Sequence, residues 1–322
     1  MKKLWVKAGA RLHLGQLDLN GSLGRIYGGF GLAIDQPQLE ITAERGDTLS
    51  IKCLDKEEKR IERISRQYLK YYSLPGVKIN VIKALPSHSG LGSGTQLSLA
   101  LGFVISRVYG LQPSLDELAG ITDRESSRSG IGVAAFKRGG FLVDGGKPVN
   151  QGETENIFKI PPILARIPFP KEWAIIVALP QSEEKIFGSK EDDAFQSLKP
   201  MKEEVSASIC RLLHMKLLPS LKEKDLKGFG QAVTAIQQYV GQYFEPVQGG
   251  QYSSVQSSKI AEFLLSQGAE GVGQSSWGPA LYAFTKQERK IDLLEKTRKF
   301  LDDEILVWGA SGRNHGASWG WK

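Results

Sequence analysis

The pattern of apolar and polar positions in the first half of the chain predicts strands and helices in alternation. Apolar and polar residues alternate over residues 76–86, which predicts a half-buried strand ended by Pro86. The apolar run over residues 95–110 has apolar positions on most sides and stops at Gly110, so it predicts a largely buried helix. A Ser-x-x-Glu capping pattern predicts that another helix begins at Ser114.

The second half of the chain predicts a strand, then helices, then strand, helix and strand. The pattern of residues 138–146 predicts a short strand between glycine turns, and the Gly/Pro/Asn-rich residues 145–170 predict a loose connecting segment. The later elements are a buried strand at 173–180, helical spacing over 205–216 and 226–240, a strand at 280–284, a helix at 287–301 and a strand at 304–310. This order predicts an α+β fold, which we divide into domains 1–168 and 169–322.

Composition narrows the class of partner. The 322 residues carry a net charge of +7, which favours anionic partners, either nucleic acid or phosphorylated small molecules. No nucleic-acid motif, signal-peptide run or membrane-length apolar run occurs, and the two cysteines lack metal-ligand spacing. We therefore expect a cytoplasmic protein without nucleic-acid or membrane partners. The mixed charges of residues 54–70 are interpreted as a solvated helix face.

A glycine-rich loop between the strand at 76–86 and the following helix is the first candidate site. Backbone amides and the helix dipole make such a position suitable for an anion. No Gly-Lys-Ser/Thr follows, so it is not a Walker A loop. The alternative is a tight turn with a hydroxyl cap. The phosphate-binding candidates are Ser89, Gly90, Gly92, Ser93, Gly94 and Thr95.

Polar residues among six glycines mark residues 10–34 as the second candidate. No alternation persists there long enough to indicate merely a hairpin. Arg11 and Arg25 suit forked recognition of phosphate or carboxylate, or are surface charges. His13 is a ligand contact or a satisfied strand histidine, and Asp18 is a Mg²⁺ ligand or a turn residue.

A third glycine-rich segment, residues 268–284, contains Ser275 and Ser276 and leads into a strand. It is either a second loop facing the ligand or a bulged turn.

Each of the remaining charged candidates has either a role in the site or a structural role. Asp144 precedes two glycines and suits a metal or a turn, with Asp123 a weaker metal candidate. Arg128 lies in a charged segment that is part of the site or a helix end. Arg313 and His315 close over the site or belong to a mobile tail.

Together, "RLHLG", the proline-led "GLGSG" loop and the late glycine-serine segment resemble the GHMP kinase superfamily. The resemblance covers nearly the whole chain. It implies a two-domain GHMP-kinase-like fold, with a left-handed β-α-β unit in the N-terminal domain and a ferredoxin-like C-terminal domain.

Within that superfamily, "RLHLGQLDLNGSLGRIYGGFGLAI", "RSGIGVAAFKRGGFLVDGG" and "GQSSWGPALYAF" resemble the β-ribofuranosylaminobenzene 5′-phosphate synthase family. That family joins 4-aminobenzoate or 4-hydroxybenzoate to phosphoribosyl pyrophosphate in methanopterin biosynthesis, releasing CO₂ and pyrophosphate. The resemblance implies a decarboxylating phosphoribosyltransferase that acts as a homodimer with Mg²⁺ and without ATP.

Two departures bear on this resemblance. Superfamily kinases commonly place an aspartate two residues after a Ser-Gly pair, but Ser129-Gly130 is followed by Ile131 and Gly132. This departure argues against phosphoryl transfer but does not exclude it, because some of these kinases lack that aspartate. The synthases often carry an acid before the first Gly-Gly pair, where this chain has Tyr27, which puts its ligand preference in question.

The residues and the resemblance together predict the roles of the site residues. We expect Asp18, Arg25 and Arg128 to be catalytic, and Asp18 and Asp144 to bind the metal. The expected substrate contacts are Arg11, His13, Ser275 and Ser276. The alternatives are an ATP-dependent small-molecule kinase and a non-catalytic binding protein of the same fold.

Overall fold

The chain forms two β-sheets with helices packed against them. The computed structural model describes residues 2–53, 57–122, 128–149, 160–180, 193, 195, 197–302 and 304–322. The strands are Leu4–Asp18 (β1), Arg25–Arg45 (β2), Leu49–Cys53 (β3), Val77–Lys83 (β4), Phe141–Asp144 (β5), Lys147–Pro148 (β6), Ile163–Ile167 (β7), Trp173–Leu179 (β8), Gly271–Gln274 (β9), Leu281–Lys286 (β10), Leu306–Ala310 (β11) and Ser318–Trp321 (β12). The described α-helices are Glu58–Tyr71 (α1), Ser93–Val108 (α2), Leu115–Ile121 (α3), Ile131–Lys137 (α4), Glu203–Leu212 (α5), Leu218–Glu223 (α6), Leu226–Gln248 (α7), Val255–Ser266 (α8) and Lys290–Phe300 (α9).

The first sheet is built on a long hairpin of β1 and β2. Its order is β12-β1-β2-β4-β3, and β5 and β6 also pair with β2. Residues 10–34 do form a hairpin, because β1 and β2 pair antiparallel across that segment, although part of it also lines a cleft. Register shifts between Gly9 and Arg11 and between His13 and Gly15 interrupt the alternation that would have revealed it.

The candidate loop follows a β-α-β unit. Strands β3 and β4 are parallel neighbours joined through α1, which buries Ile61, Ile64 and Tyr68. Strand β4 ends before Pro86, and the almost fully buried α2 follows the loop, both as predicted. The predicted cap of α3 is confirmed, because Ser114 Oγ accepts from the amide of Glu117 at 3.0 Å.

The second sheet has the order β11-β8-β10-β9, with each neighbouring pair antiparallel. Counted along the chain, this is strand order 4-1-3-2 with helices after the first and third strands, which is the ferredoxin-like arrangement. The predicted α+β class is therefore confirmed. The loose connection expected over residues 145–170 is partly wrong, since it contains β6 and β7.

The C-terminal end of the chain returns to the first sheet. Strand β12 pairs with β1, and the buried Arg313 donates to the carbonyls of Lys7 at 3.2 Å and Gly316 at 3.0 Å. The division after residue 168 stays a prediction, and this returning strand crosses it. Among the described residues, no helix is both long and apolar enough to span a membrane.

Candidate active site

A cleft of about 920 Å³ lies between the two halves of the chain. It is bordered by β1 and the loop before α2 on one side, and by α7 and the loop between β9 and β10 on the other. Distant parts of the sequence therefore form one site.

The glycine loop reaches the cleft because its backbone adopts left-handed conformations. Gly90 and Gly92 both have φ of 78°, which is strained for residues with a side chain. A Cβ atom on Gly92 would lie 2.9 Å from Cγ of Arg11. Helix α2 begins at the next residue, Ser93, so the positive end of its dipole faces the cleft.

The structure brings the predicted phosphate-binding residues together in the cleft wall. They are Ser89, Gly90, Gly92, Ser93, Gly94 and Thr95. Ser89 is 3% exposed and its hydroxyl donates to the carbonyl of Pro86 at 2.7 Å, so it holds the loop. The amides at the start of α2 can bind an oxyanion.

Strand β1 and the loop after β9 clamp the glycine loop. The Arg11 amide donates to the carbonyl of Leu91 at 3.1 Å, and the Arg11 guanidinium donates to the carbonyl of Gly90. The Ser275 hydroxyl accepts from the His13 amide at 2.9 Å and donates to the Gly90 carbonyl at 2.7 Å. Ser275 is therefore a positioning residue, whereas Ser276 lines the cleft.

The described lining of the cleft is basic. It contains the side chains of Arg11, Arg60, Arg63, Arg128 and Lys147, and no Asp or Glu among the residues that the structure describes. This concentration of positive charge favours a ligand with several negative charges.

His13 presents a neutral imidazole to the cleft. Burial, and secondly the charge of Arg11, lower the pKa of His13 to about 3. At neutral pH the ring can accept or donate a hydrogen bond but carries no charge.

Asp18 ends β1 and Arg25 begins β2, and neither belongs to the described cleft lining. The Asp18 carboxylate accepts from the amide of Asn20 at 2.7 Å and from the hydroxyl of Ser206 at 3.2 Å. Arg25 donates to the carbonyls of the two glycines after Asp144, at 2.8 and 2.7 Å. These contacts give both side chains a turn-stabilising role, and their catalytic role stays a prediction.

Asp144 is completely buried and holds a turn together. Its carboxylate accepts from the Ser129 hydroxyl at 2.9 Å and from the amides of Gly130 and Gly146 at 3.0 Å each. Burial raises the pKa of Asp144, and these hydrogen bonds oppose that rise. Its metal-binding role stays a prediction, and Asp123 lies outside the described residues.

The other predicted side chains divide between the cleft and a distant edge. Arg128, which was predicted to be catalytic, lines the cleft, and its catalytic role stays a prediction. Arg313 and His315 instead lie beside Trp5 and Lys7 at the β1–β12 edge, so the alternative in which they close over the site is wrong. Arg313 there donates to the carbonyl groups of Lys7 on β1 and Gly316 of the returning segment.

Sequence reasoning missed Arg60 and Arg63. The segment that carries them was interpreted as a solvated helix face, but both side chains line the cleft. Their three-residue spacing, which places them on one side of α1, was the available signal. The aromatic residues Phe244 and Trp277 of the lining were also missed, because they are distant in sequence.

Comparisons with known proteins identify the family. The models for the GHMP kinases N terminal domain and GHMP kinases C terminal match residues 59–140 and 217–303. A β-ribofuranosylphenol 5′-phosphate synthase from Methanocaldococcus jannaschii is 34% identical over 96% of this chain and 98% of its own length. The synthase of that name from Archaeoglobus fulgidus is 36% identical over 88% of both chains.

A solved structure supports the same fold. The mevalonate kinase of Methanococcus jannaschii superposes with a TM-score of 0.68 over 96% of this chain and 98% of that one, at 15% identity. With the β-α-β unit, the ferredoxin-like sheet and the glycine loop, the predicted superfamily is confirmed. The chain belongs to the GHMP kinase superfamily and, within it, to the β-ribofuranosylphenol 5′-phosphate synthase family.

Proposed function

We propose that this protein is a decarboxylating phosphoribosyltransferase that joins phosphoribosyl pyrophosphate to 4-hydroxybenzoate. The observation that carries the proposal is the basic cleft around the glycine loop, with five cationic side chains and no carboxylate among its described lining residues. A substrate with a phosphate and a pyrophosphate group suits that charge. Sequence alone left 4-aminobenzoate and 4-hydroxybenzoate open, and the relatives' name, which specifies a phenol, favours the hydroxy acid.

The reaction needs no protein nucleophile. The ring carbon that bears the carboxylate attacks C1′ of the ribosyl group, and the bond from C1′ to pyrophosphate breaks with its electron pair leaving on pyrophosphate. The bond to the carboxylate carbon then breaks, CO₂ leaves, and the electron pair restores the aromatic ring. The protein must orient two substrates and stabilise departing negative charge.

The residues of the cleft fit those tasks. The α2 N-terminus and Arg11 would hold phosphate oxygens, while Arg63 adds positive charge on the same wall. The charge of Arg60 is partly offset by its ion pair with Glu57 at 3.1 Å. Neutral His13 would contact substrate without adding to the charge.

The described residues do not fit a protein-held Mg²⁺ site. No cluster of three or more His, Cys, Asp or Glu suited to a metal occurs within the described part of the chain. The Asp18 and Asp144 carboxylates already accept hydrogen bonds from protein groups. A requirement for Mg²⁺ with phosphoribosyl pyrophosphate is therefore kept as a proposal from the resemblance, and no step is derived through the metal.

A structural feature disfavours the kinase alternative. At Gly132, a Cβ atom would lie 3.2–3.3 Å from the side chain of Thr95 in the glycine loop. The position of the kinase aspartate is therefore closely packed against the loop, without a carboxylate.

The wider setting is proposed from the resemblance alone. We propose that the reaction belongs to methanopterin biosynthesis and that the enzyme is a cytoplasmic homodimer.

Product analysis tests the proposed reaction. The protein is incubated with phosphoribosyl pyrophosphate, Mg²⁺ and 4-hydroxybenzoate labelled with ¹³C at the carboxylate-bearing ring carbon, without ATP. The expected product gives an NMR signal showing that this carbon is bonded to ribose C1′. Absence of a C-riboside from both 4-hydroxybenzoate and 4-aminobenzoate, together with ATP-dependent phosphorylation of a small alcohol, would replace the proposal with the kinase.

A further inference from the structure

Four aromatic side chains in the cleft form a continuous apolar surface, which we call the aromatic wall: Tyr27, Phe195, Phe244 and Trp277. The ring centroids of Phe244 and Trp277 are 4.5 Å apart, and Phe195 lies 5.5 Å from Trp277 and 5.6 Å from Phe244. Tyr27 continues the wall, 6.0 Å from Phe195. These edge-to-face contacts fix the rings in place.

The aromatic wall begins beside the glycine loop. Trp277 lies between Ser276, whose amide donates to the carbonyl of His13 at 3.1 Å, and Gly278. The preceding residue, Ser275, hydrogen-bonds directly to Gly90. Trp277 therefore directly follows the residues that hold the glycine loop, and it lines the same cleft as the start of α2.

A cation lies at the other end of the aromatic wall. The guanidinium carbon of Arg128 is 4.1 Å from the ring centroid of Phe195 and 6.0 Å from that of Tyr27. The wall thus offers an apolar face for a flat ring and a positive charge at its edge. These two features match a planar aromatic carboxylate better than a ribose or a phosphate, which need hydrogen-bond donors.

We infer that the aromatic wall is the seat of the aromatic acid, with the ring against Trp277 and Phe244 and the carboxylate facing Arg128. This inference rests on the proposed function and assigns the second substrate to one part of the cleft. The ring carbon that bears the carboxylate then lies at the Arg128 end of the wall, so C1′ of the donor must reach that end while one of its phosphate groups is held at the glycine loop.

Separate measurement of the two KM values tests the seat. Trp277→Leu is expected to raise the KM for 4-hydroxybenzoate about 10- to 30-fold through loss of stacking and apolar contact. The KM for phosphoribosyl pyrophosphate should stay within about twofold of the wild-type value. Trp277→Phe, which keeps an aromatic ring, should raise the KM for 4-hydroxybenzoate much less than Trp277→Leu does. The matched control is Trp308→Leu on β11, whose indole binds Gln36 away from the cleft. Equal changes in both KM values, or no change in the first, would overturn the inference.

A binding measurement separates this inference from the proposed function. Titration of the wild-type protein with 4-hydroxybenzoate should quench tryptophan fluorescence, and Trp277→Phe should lose that quenching while Trp308→Phe keeps it. This readout needs no turnover, and thermal unfolding checks that each variant is folded. Quenching through Trp277 without product would refute the proposed reaction and leave the seat standing. Product formation with quenching that persists in Trp277→Phe would refute the seat.

Discussion

Replacing Gly92 with alanine tests whether the shape of the glycine loop serves substrate binding. The left-handed conformation costs a non-glycine residue roughly 1–2 kcal/mol. The added Cβ would also meet Cγ of Arg11 at 2.9 Å, so the guanidinium must move. A misplaced charged hydrogen bond is worth about 1.5–3 kcal/mol, which corresponds to a rise of about 10- to 150-fold in the KM for phosphoribosyl pyrophosphate.

The matched control lies at the other end of the same helix. Gly110 has φ of 80°, and no atom lies within 4 Å of its added Cβ, so Gly110→Ala imposes the same backbone strain without touching the site. Both variants should lose roughly 1–2 kcal/mol of stability, which is about 1.5–3 °C in Tm for a chain of 322 residues. Steady-state kinetics and thermal unfolding measure both quantities. An unchanged KM in Gly92→Ala, or an equal rise in Gly110→Ala, would refute the reasoning.

Three further predictions concern charge. The pKa of His13 is lowered to about 3 in the folded protein, so between pH 6.5 and 3 the unfolded chain binds a proton that the folded protein does not. The free energy of unfolding therefore falls as pH falls through that range, by at most about 1.4 kcal/mol per pH unit. In urea unfolding, His13→Gln should flatten this dependence, whereas the surface variant His214→Gln should keep it. Asp144→Asn should lower stability by about 1–3 kcal/mol, equally with and without Mg²⁺, and a loss seen only with Mg²⁺ would assign it to the metal. Arg63→Gln should raise the KM for phosphoribosyl pyrophosphate about two- to fivefold at low salt, while Arg66→Gln on the same helix should not; equal effects would remove Arg63 from the site.

Local patterns predicted much of the fold. The strand before Pro86, the buried helix after the glycine loop and the cap at Ser114 each depend on residues close in sequence, so the chain itself reveals them. The β1–β2 hairpin was not predicted, because two register shifts interrupt the alternation of apolar and polar residues by which a strand is recognised.

Half of the cleft could not be predicted in this way. Its glycine loop is continuous in sequence and its closely spaced glycines mark it, so it could be predicted. Phe244 and Trp277, by contrast, enter the site only because the second half of the chain packs against the first half. Arg63 belongs to a helix that also carries exposed charges such as Lys59 and Arg66, so composition did not distinguish it. Asp18 was expected in the cleft from its neighbours in sequence, yet its carboxylate caps a turn.

Release of labelled CO₂ is the measurement that tests the central claim most directly. The protein is supplied with 4-hydroxybenzoate labelled at the carboxyl carbon, phosphoribosyl pyrophosphate and Mg²⁺, without ATP. We expect labelled CO₂ and pyrophosphate in equal amounts, both dependent on the two substrates and both sharply reduced in Gly92→Ala at subsaturating phosphoribosyl pyrophosphate. Absence of labelled CO₂ from 4-hydroxybenzoate and from 4-aminobenzoate would contradict that claim.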